Sequence, residues 1–118
     1  MSYSRGQLVI FIAATVISAT FIINLCATIY QCGCTFVWAG ANAQCNIHAH
    51  GAKHCPWCVI GNAGFAVVLG VILASQAAIS FCRAAWSWPV RLGLTLLAFP
   101  VVGSIEAVLV GVWQGYWV

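Results

Sequence analysis

The chain has 118 residues, of which 64% are hydrophobic and only 4% are charged, and its formal net charge is +3. A soluble domain carries about 25% charged residues because its surface faces water, so the composition excludes a soluble enzyme, a nucleic-acid-binding protein and a disordered tail. We expect a single domain over residues 1–118. The mean hydropathy of +1.03 indicates that most of the chain lies in a lipid membrane.

Three apolar segments are long enough to cross a bilayer, which requires roughly 20 mostly apolar residues. They cover residues 7–30, 59–81 and 92–112, and Glu106 is the only charged residue within them. A transmembrane β-barrel needs many shorter segments of alternating polarity. We therefore predict an all-α integral membrane protein in which three transmembrane helices form one bundle.

The start of the first segment resembles a secretory signal peptide, because Arg5 precedes an apolar run. That run is longer than the usual apolar region of about 7–15 residues. A lipoprotein cleavage before Cys26 would need small residues upstream, and Asn24 and Leu25 are not small. We expect the first helix to stay uncleaved in the membrane.

The basic residues predict how the chain is oriented in the membrane. Arg5 precedes the first segment, and Arg83 and Arg91 flank the connection between the second and third segments. Cytoplasmic loops carry the excess of Lys and Arg. We therefore expect a multi-pass protein of the cell inner (plasma) membrane, with its N-terminus in the cytoplasm and residues 31–58 in an extracytoplasmic loop.

Two features inside the membrane bear on assembly. An ionisable residue such as Glu106 is a candidate functional residue within a membrane. The alternative is a protonated carboxyl group bonded to helix neighbours, or one whose side chain extends to the lipid headgroups. Gly111 and Gly115 have the GxxxG spacing of close helix contacts, which we expect to serve packing within the chain. Because three helices enclose little volume, we expect a homo-oligomer or a subunit of a larger membrane complex.

The loop at residues 31–58 carries the chemistry of the chain. It contains five of the seven cysteines and all three histidines, whereas a solvated connector is rich in Ser, Asp, Glu and Lys. Three interpretations are open for it, namely structural disulfides, a redox-active cysteine pair and a transition-metal site. The two cysteines outside the loop, Cys26 and Cys82, lie near opposite helix ends, and we expect each to be a buried, inert, small hydrophobic residue.

The disulfide interpretation follows from the oxidising environment outside the cytoplasm. Cys32 and Cys34 follow the first helix, and Cys55 and Cys58 precede the second. Neighbouring antiparallel helices would bring the two pairs within bridging distance.

The redox interpretation concerns the sequence Cys-Pro-Trp-Cys from Cys55 to Cys58. At a helix start, the helix dipole and the unpaired N–H groups favour the thiolate of the first cysteine. The neighbouring His54 could stabilise that thiolate or carry its proton. Cys32 and Cys34 would then form a second pair that exchanges with the first.

This motif resembles that of the DsbB-type disulfide-forming oxidoreductases and the related vitamin K epoxide reductases, in which Cys-Pro-x-Cys opens a transmembrane helix. The resemblance covers about residues 54–62. It implies thiol–disulfide exchange through Cys55 and Cys58, with electrons passed to a membrane quinone in a four-helix bundle. The family has an Arg four residues after the motif, where this chain has Asn62, and a fourth helix that the three predicted segments do not supply.

The metal interpretation uses the same loop as a ligand set. Two close cysteine pairs are typical of a tetrahedral thiolate site for zinc or iron, and a mixed set of one cysteine and three histidines suits copper or zinc. A covalent c-type haem is excluded because Val59 follows Cys58. The candidate ligands are Cys32, Cys34, Cys55 and Cys58 in the first set and Cys45, His48, His50 and His54 in the second.

Two functions remain open from the sequence. The first is a small membrane thiol–disulfide oxidoreductase that works through its Cys-Pro-Trp-Cys motif. The second is a non-catalytic metal-binding or accessory subunit of a larger membrane redox complex. The corresponding cofactors are a quinone in the first case and zinc, copper or iron in the second.

Overall fold

The computed structural model describes residues 5–41, 43–48, 54–83 and 85–117, and helices are the only regular secondary structure in these ranges. Three helices are long, namely α1 (Arg5–Tyr30), α3 (Asn62–Ser80) and α4 (Trp88–Trp113), and α2 (Pro56–Ile60) is a short helix before α3. The three long helices are apolar enough to cross a membrane. The prediction of an all-helical chain with three such helices is confirmed.

Helices α2 and α3 are separate because of a backbone turn between them. Gly61 has a φ of +80°, which lies in the left-handed region that favours glycine. The sequence predicted one segment from residue 59 to residue 81, and the turn divides this stretch. The motif from Cys55 to Cys58 therefore starts a short helix, and the long helix begins only at Asn62.

The long helices pack against one another along narrow stripes, and each of them contacts the other two. The buried positions recur about every four residues, and many carry small side chains that allow close approach. Large apolar side chains cover much of the outward surface. The stripes are Ile10, Ala14, Ser18, Ile22, Cys26 and Tyr30 in α1, Gly64, Val68, Ile72, Gln76 and Ser80 in α3, and Arg91, Thr95, Ala98, Gly103, Ala107 and Gly111 in α4.

A polar junction joins the three long helices within the bundle. The side chain of Gln76 in α3 donates hydrogen bonds to the Ser18 hydroxyl in α1, at 2.8 Å, and to the Thr95 carbonyl in α4, at 3.1 Å. All three residues are fully buried. A buried polar group is costly unless it is hydrogen-bonded, so these bonds fix how the helices are rotated against one another.

Arg91 closes one end of the bundle. Its guanidinium donates hydrogen bonds to the carbonyl groups of Ile79, Ser80 and Cys82 around the C-terminus of α3, at 3.2, 2.9 and 3.0 Å. A cation at this position also interacts favourably with the negative end of the helix dipole. Because α1 starts at this end, Arg5, Arg83 and Arg91 all lie at the end of the bundle opposite the loop.

The two glycines with GxxxG spacing do not share a helix face. Helix α4 ends at Trp113, and Gly115 lies beyond it with a φ of +67°. Gly111 is covered by Trp117 of the same chain, whose ring would lie 2.5 Å from a Cβ at that position. Gly111 therefore serves packing within the chain, as expected from the sequence.

The polar junction predicts a measurable contribution to stability. Interhelical hydrogen bonds in membrane proteins contribute about 0.6 kcal/mol each on average. Gln76→Leu introduces an apolar side chain of similar size and removes both bonds. We therefore expect the free energy of unfolding in mixed detergent micelles to fall by about 1 kcal/mol.

The matched control is Ser75→Ala in the same helix, because Ser75 donates only to Val71 of its own helix among the hydrogen bonds described. We expect little change for this variant. Equal unfolding free energies for Gln76→Leu and the original chain would contradict the assignment of Gln76 as the junction.

Candidate metal centre

Six of the seven cysteines come together at the loop end of the bundle. Each of them is buried, with no more than 8% of its surface exposed. No disulfide joins any of the seven cysteines, all of which the structure describes. The six are Cys26 in α1, Cys32, Cys34 and Cys45 in the loop, and Cys55 and Cys58 around α2.

The sulfur atoms of these cysteines are close neighbours. Four groups of three cysteines, no two of which share a pair, have all their Sγ atoms within 4.8 Å of one another. The closest pairs are Cys26 and Cys55 at 3.0 Å, Cys32 and Cys34 at 3.3 Å, Cys45 and Cys58 at 3.3 Å, and Cys26 and Cys32 at 3.8 Å. The four groups are Cys26, Cys55 and Cys58; Cys26, Cys32 and Cys34; Cys32, Cys45 and Cys55; and Cys34, Cys45 and Cys58. We call these six residues the thiol cluster.

Gly33 allows two neighbouring cysteines to enter the thiol cluster together. Its φ is +92°, and a Cβ at this position would lie 2.5 Å from the carbonyl oxygen of Gln44. The Asn46 amide donates a hydrogen bond to the Cys32 carbonyl at 2.7 Å, which holds the two parts of the loop together. This turn is the reason why Cys32 and Cys34, on either side of the glycine, are both buried.

Asn46 connects the loop to two helices. Its side-chain oxygen accepts a hydrogen bond from the Cys55 amide at 2.6 Å, and its side-chain nitrogen donates to the Tyr116 hydroxyl at 3.0 Å. Tyr116 in turn donates to the carbonyl of Tyr30, the last residue of α1, at 2.7 Å. In metal sites, losing a partner that orients a ligand in this way typically lowers metal affinity or activity by about 10–100-fold. Asn46 was not among the residues predicted from the sequence, where its only signal is its position beside Cys45.

Cys26 is a second member of the site that was not predicted from the sequence. It was expected to be an inert hydrophobic residue, and it is buried, but its Sγ lies 3.0 Å from that of Cys55. Cys26 lies one helical turn before Tyr30, on the buried stripe of α1. This spacing from the helix end was the available signal. Cys82 lies at the opposite end, near Arg91.

The short helix α2 sets the positions of Cys55 and Cys58. Cys55 precedes the helix and Pro56 occupies its first turn, where a missing N–H group costs nothing. Trp57 is fully buried and packs edge-on against Tyr30, with the ring centroids 5.8 Å apart. This aromatic contact anchors the motif on α1.

The thiols of the cluster influence one another's acidity. Hydrogen bonds from Cys26 and Cys55 lower the pKa of Cys58 to about 5. Hydrogen bonds from Cys26 and Cys32 likewise lower the pKa of Cys55, while burial raises that of Cys34. The thiolate is the form of cysteine that binds metals and acts as a nucleophile. These hydrogen bonds therefore favour the thiolate forms of Cys55 and Cys58.

The other predicted site residues lie outside the thiol cluster. His48 and His54 are exposed, and neither belongs to a group of potential metal ligands among the residues that the structure describes. His50 lies outside the described residues. Glu106 is half-buried in α4, with one carboxyl oxygen buried and without a hydrogen-bond partner, and it joins none of these groups. Among the described residues, the candidate centre is thus built from sulfur, whereas the sequence suggested a second set rich in histidine.

A cavity reaches the thiol cluster from the side of the bundle. It has a volume of about 260 Å³ and is lined by residues of α1, the loop and the start of α3, together with Cys58. Ile22, Val37 and Phe65 give it mostly apolar walls, and Asn62 gives it a polar edge. Cys58, which is 6% exposed, is the cluster residue that borders this cavity.

Comparison with protein-family models, with curated protein sequences and with solved structures found no match for this chain. The likeness of the Cys-Pro-Trp-Cys motif to the DsbB type is therefore a local resemblance that no matched relative supports.

The turn at Gly33 makes a testable prediction about the loop. Alanine is strained at a positive φ, and its Cβ would displace the carbonyl of Gln44. We expect Gly33→Ala to expose Cys32 and Cys34, so that both react at least several-fold faster with an alkylating agent in the reduced, metal-free protein, as followed by peptide mass spectrometry.

Gly70→Ala in α3 is the matched control, because a Cβ there meets nothing within 4 Å, and Cys82 serves as an internal reference for the alkylation rate. Unchanged reactivity of Cys32 and Cys34 in Gly33→Ala would contradict the role given to this turn.

Proposed function

We propose that this chain is an integral membrane protein that binds soft metal ions in the thiol cluster, beyond the lipid-spanning part of its bundle. The function is that of a metal-holding or accessory subunit of a larger membrane complex. The residues that carry it are the six cysteines, with Asn46 and Gly33 as positioning residues.

The observation that carries the proposal is the spacing of the sulfur atoms. A thiolate binds zinc at about 2.3 Å, so two sulfurs that share one cation lie at most about 4.6 Å apart. In each of the four groups of three cysteines named above, the sulfurs lie within 4.8 Å of one another. The cysteines are thus close enough together for several of them to reach one cation, after adjustment of the closest pairs.

The donor set supports a particular class of metal. Thiolates prefer Cu(I), zinc and iron–sulfur clusters, whereas carboxylates and carbonyls suit magnesium, calcium and manganese. The four groups of candidate ligands found among the described residues consist of cysteines alone. A soft, thiophilic ion is therefore the cargo that fits.

The position of the basic residues supports an orientation for the metal centre. Arg5, Arg83 and Arg91 lie at one end of the bundle, and the thiol cluster lies at the other. By the preference of basic residues for the cytoplasmic side, the cluster faces the outside of the plasma membrane. There it would receive or deliver metal at the membrane surface.

Thiol–disulfide exchange is a second candidate, and one observation favours it. The three shortest sulfur separations, at 3.0, 3.3 and 3.3 Å, divide the six cysteines into three pairs. Oxidation of a pair would form one S–S bond and release two protons and two electrons to an acceptor such as a quinone. The cavity beside Cys58 gives such an acceptor access to the cluster.

Metal analysis of the purified protein distinguishes the two candidates. We expect the full chain, purified anaerobically in detergent, to contain bound soft metal by elemental mass spectrometry and to have six cysteines protected from alkylation. A strong chelator should expose them. A metal-free chain with three disulfides, which cycle with a quinone or a dithiol, would contradict the metal proposal and support the second candidate.

Two matched serine variants make the same test specific to the cluster. Cys55→Ser removes a member of two groups of ligands, and loss of even an outer partner of a metal ligand lowers affinity by about 10–100-fold. We expect at least this loss in affinity. Cys82→Ser, at the opposite end, should retain the metal content of the original chain.

A further inference from the structure

The four groups of cysteines share members in a regular pattern. Each of the six cysteines belongs to two groups, and no pair of cysteines occurs in more than one group. The same pattern is found in an octahedron in which each corner is one sulfur. Each of the four groups then corresponds to one triangular face, and no two of these four faces share an edge. The remaining four faces have the same edges, so either set of alternate faces is bounded by sulfurs within 4.8 Å of one another.

This pattern disfavours a single tetrahedral site in the cluster as it stands. A tetrahedral zinc site with bonds of about 2.3 Å needs four sulfurs that are all about 3.8 Å apart. Any four of the six cysteines include at least one pair that no group contains. None of the four groups contains four sulfurs, so three-sulfur coordination is the arrangement that the geometry of the described cysteines favours. The pairs outside every group are Cys26 with Cys45, Cys32 with Cys58, and Cys34 with Cys55.

Cu(I) is the soft ion that suits three sulfurs. Soft thiolate ligands select it, and it accepts trigonal coordination readily, whereas structural zinc, which has the same filled d shell, is almost always four-coordinate. A cation in the plane of three sulfurs, with bonds of about 2.3 Å, holds them about 4 Å apart. The closest sulfur pairs, at 3.0 to 3.8 Å, must move apart by up to about 1 Å to reach this spacing.

We infer that the thiol cluster holds four Cu(I) ions, one on each of four alternate faces of the sulfur octahedron, with every cysteine sulfur bridging two copper ions. This inference rests on the proposed metal-binding function and specifies its cargo. When the ions bind, each of the six thiols loses its proton and forms two Cu–S bonds. The product carries two negative charges, and no electron is transferred because copper enters as Cu(I).

The surroundings of the cluster suit such a cage. Its sulfurs are buried, with Cys26 and Cys55 wholly shielded, and this limits access of water and oxidants to Cu(I). Cys58 alone borders the lateral cavity, which provides a route for copper delivered by another thiol. Because every sulfur serves two ions, each copper that binds orders the ligands of its neighbours, and uptake should be cooperative.

Anaerobic titration of the full chain tests the cage directly. The reduced, metal-free protein in detergent is titrated with Cu(I) as its acetonitrile complex, against a chromophoric Cu(I) chelator. We expect cooperative uptake of four copper ions per chain, matching the four faces. Native mass spectrometry should show four copper ions gained and six protons lost, and visible luminescence of a solvent-shielded copper–thiolate cluster should rise until the fourth ion.

Serine variants test the connectivity of the cage. Cys26 belongs to two of the four faces, so Cys26→Ser should bind two copper ions where the original chain binds four. Cys82→Ser lies outside the cluster and should still bind four. Because the stoichiometry of the original chain is decisive by itself, the test does not depend on the folding of a variant.

The remaining outcomes overturn the inference in distinguishable ways. A chain that takes up one or two copper ions, or that binds zinc in a four-sulfur site with higher affinity than copper, would contradict the cage and leave the proposed metal-binding function intact. A folded, reduced chain that binds neither copper nor zinc would contradict both.

Discussion

The candidate site depends on one constraint, which is that six buried sulfur atoms are held close together at the end of a small apolar bundle. Thiols are weak hydrogen-bond donors and acceptors, so their packing alone contributes little directional energy. The loop is instead fixed by stronger contacts around them. These are the turn at Gly33, the hydrogen bonds of Asn46 and the packing of Trp57 against Tyr30.

The bundle provides a rigid base for that arrangement. The junction at Gln76 fixes the rotation of the long helices, and small residues along the stripes bring the helices close together. As a result α1, α3 and α4 have neighbouring ends on the loop side, where Tyr30, Asn62 and Trp113 mark their limits. The cluster forms where these ends meet the loop, because Cys26 comes from α1 and the other five cysteines come from the loop and α2.

Much of the fold could be predicted from the sequence, because it follows from properties that act over many residues. Three apolar segments of spanning length predict three helices, and the concentration of cysteines in residues 31–58 predicts a sulfur-rich centre. The details at the helix ends could not be predicted in this way. The break at Gly61 depends on a single positive φ, and a long apolar run does not reveal it.

The composition of the site was predictable only in part, for a related reason. Cys26 was assigned to the helix and not to the loop chemistry, although its position one turn before Tyr30 places it at the same end. The histidines were grouped with the cysteines because they are close in sequence, but His48 and His54 face outwards. Proximity along the chain cannot distinguish the inner from the outer side of an irregular loop, where no regular periodicity relates sequence to direction.

The central claim is that sulfur alone forms the metal centre of this protein. X-ray absorption spectroscopy at the edge of the bound metal measures this most directly, because it reports which elements surround the ion and at what distance. The account predicts a first coordination shell of sulfur at about 2.3 Å, with no nitrogen or oxygen. A shell dominated by histidine nitrogen or water oxygen would contradict it.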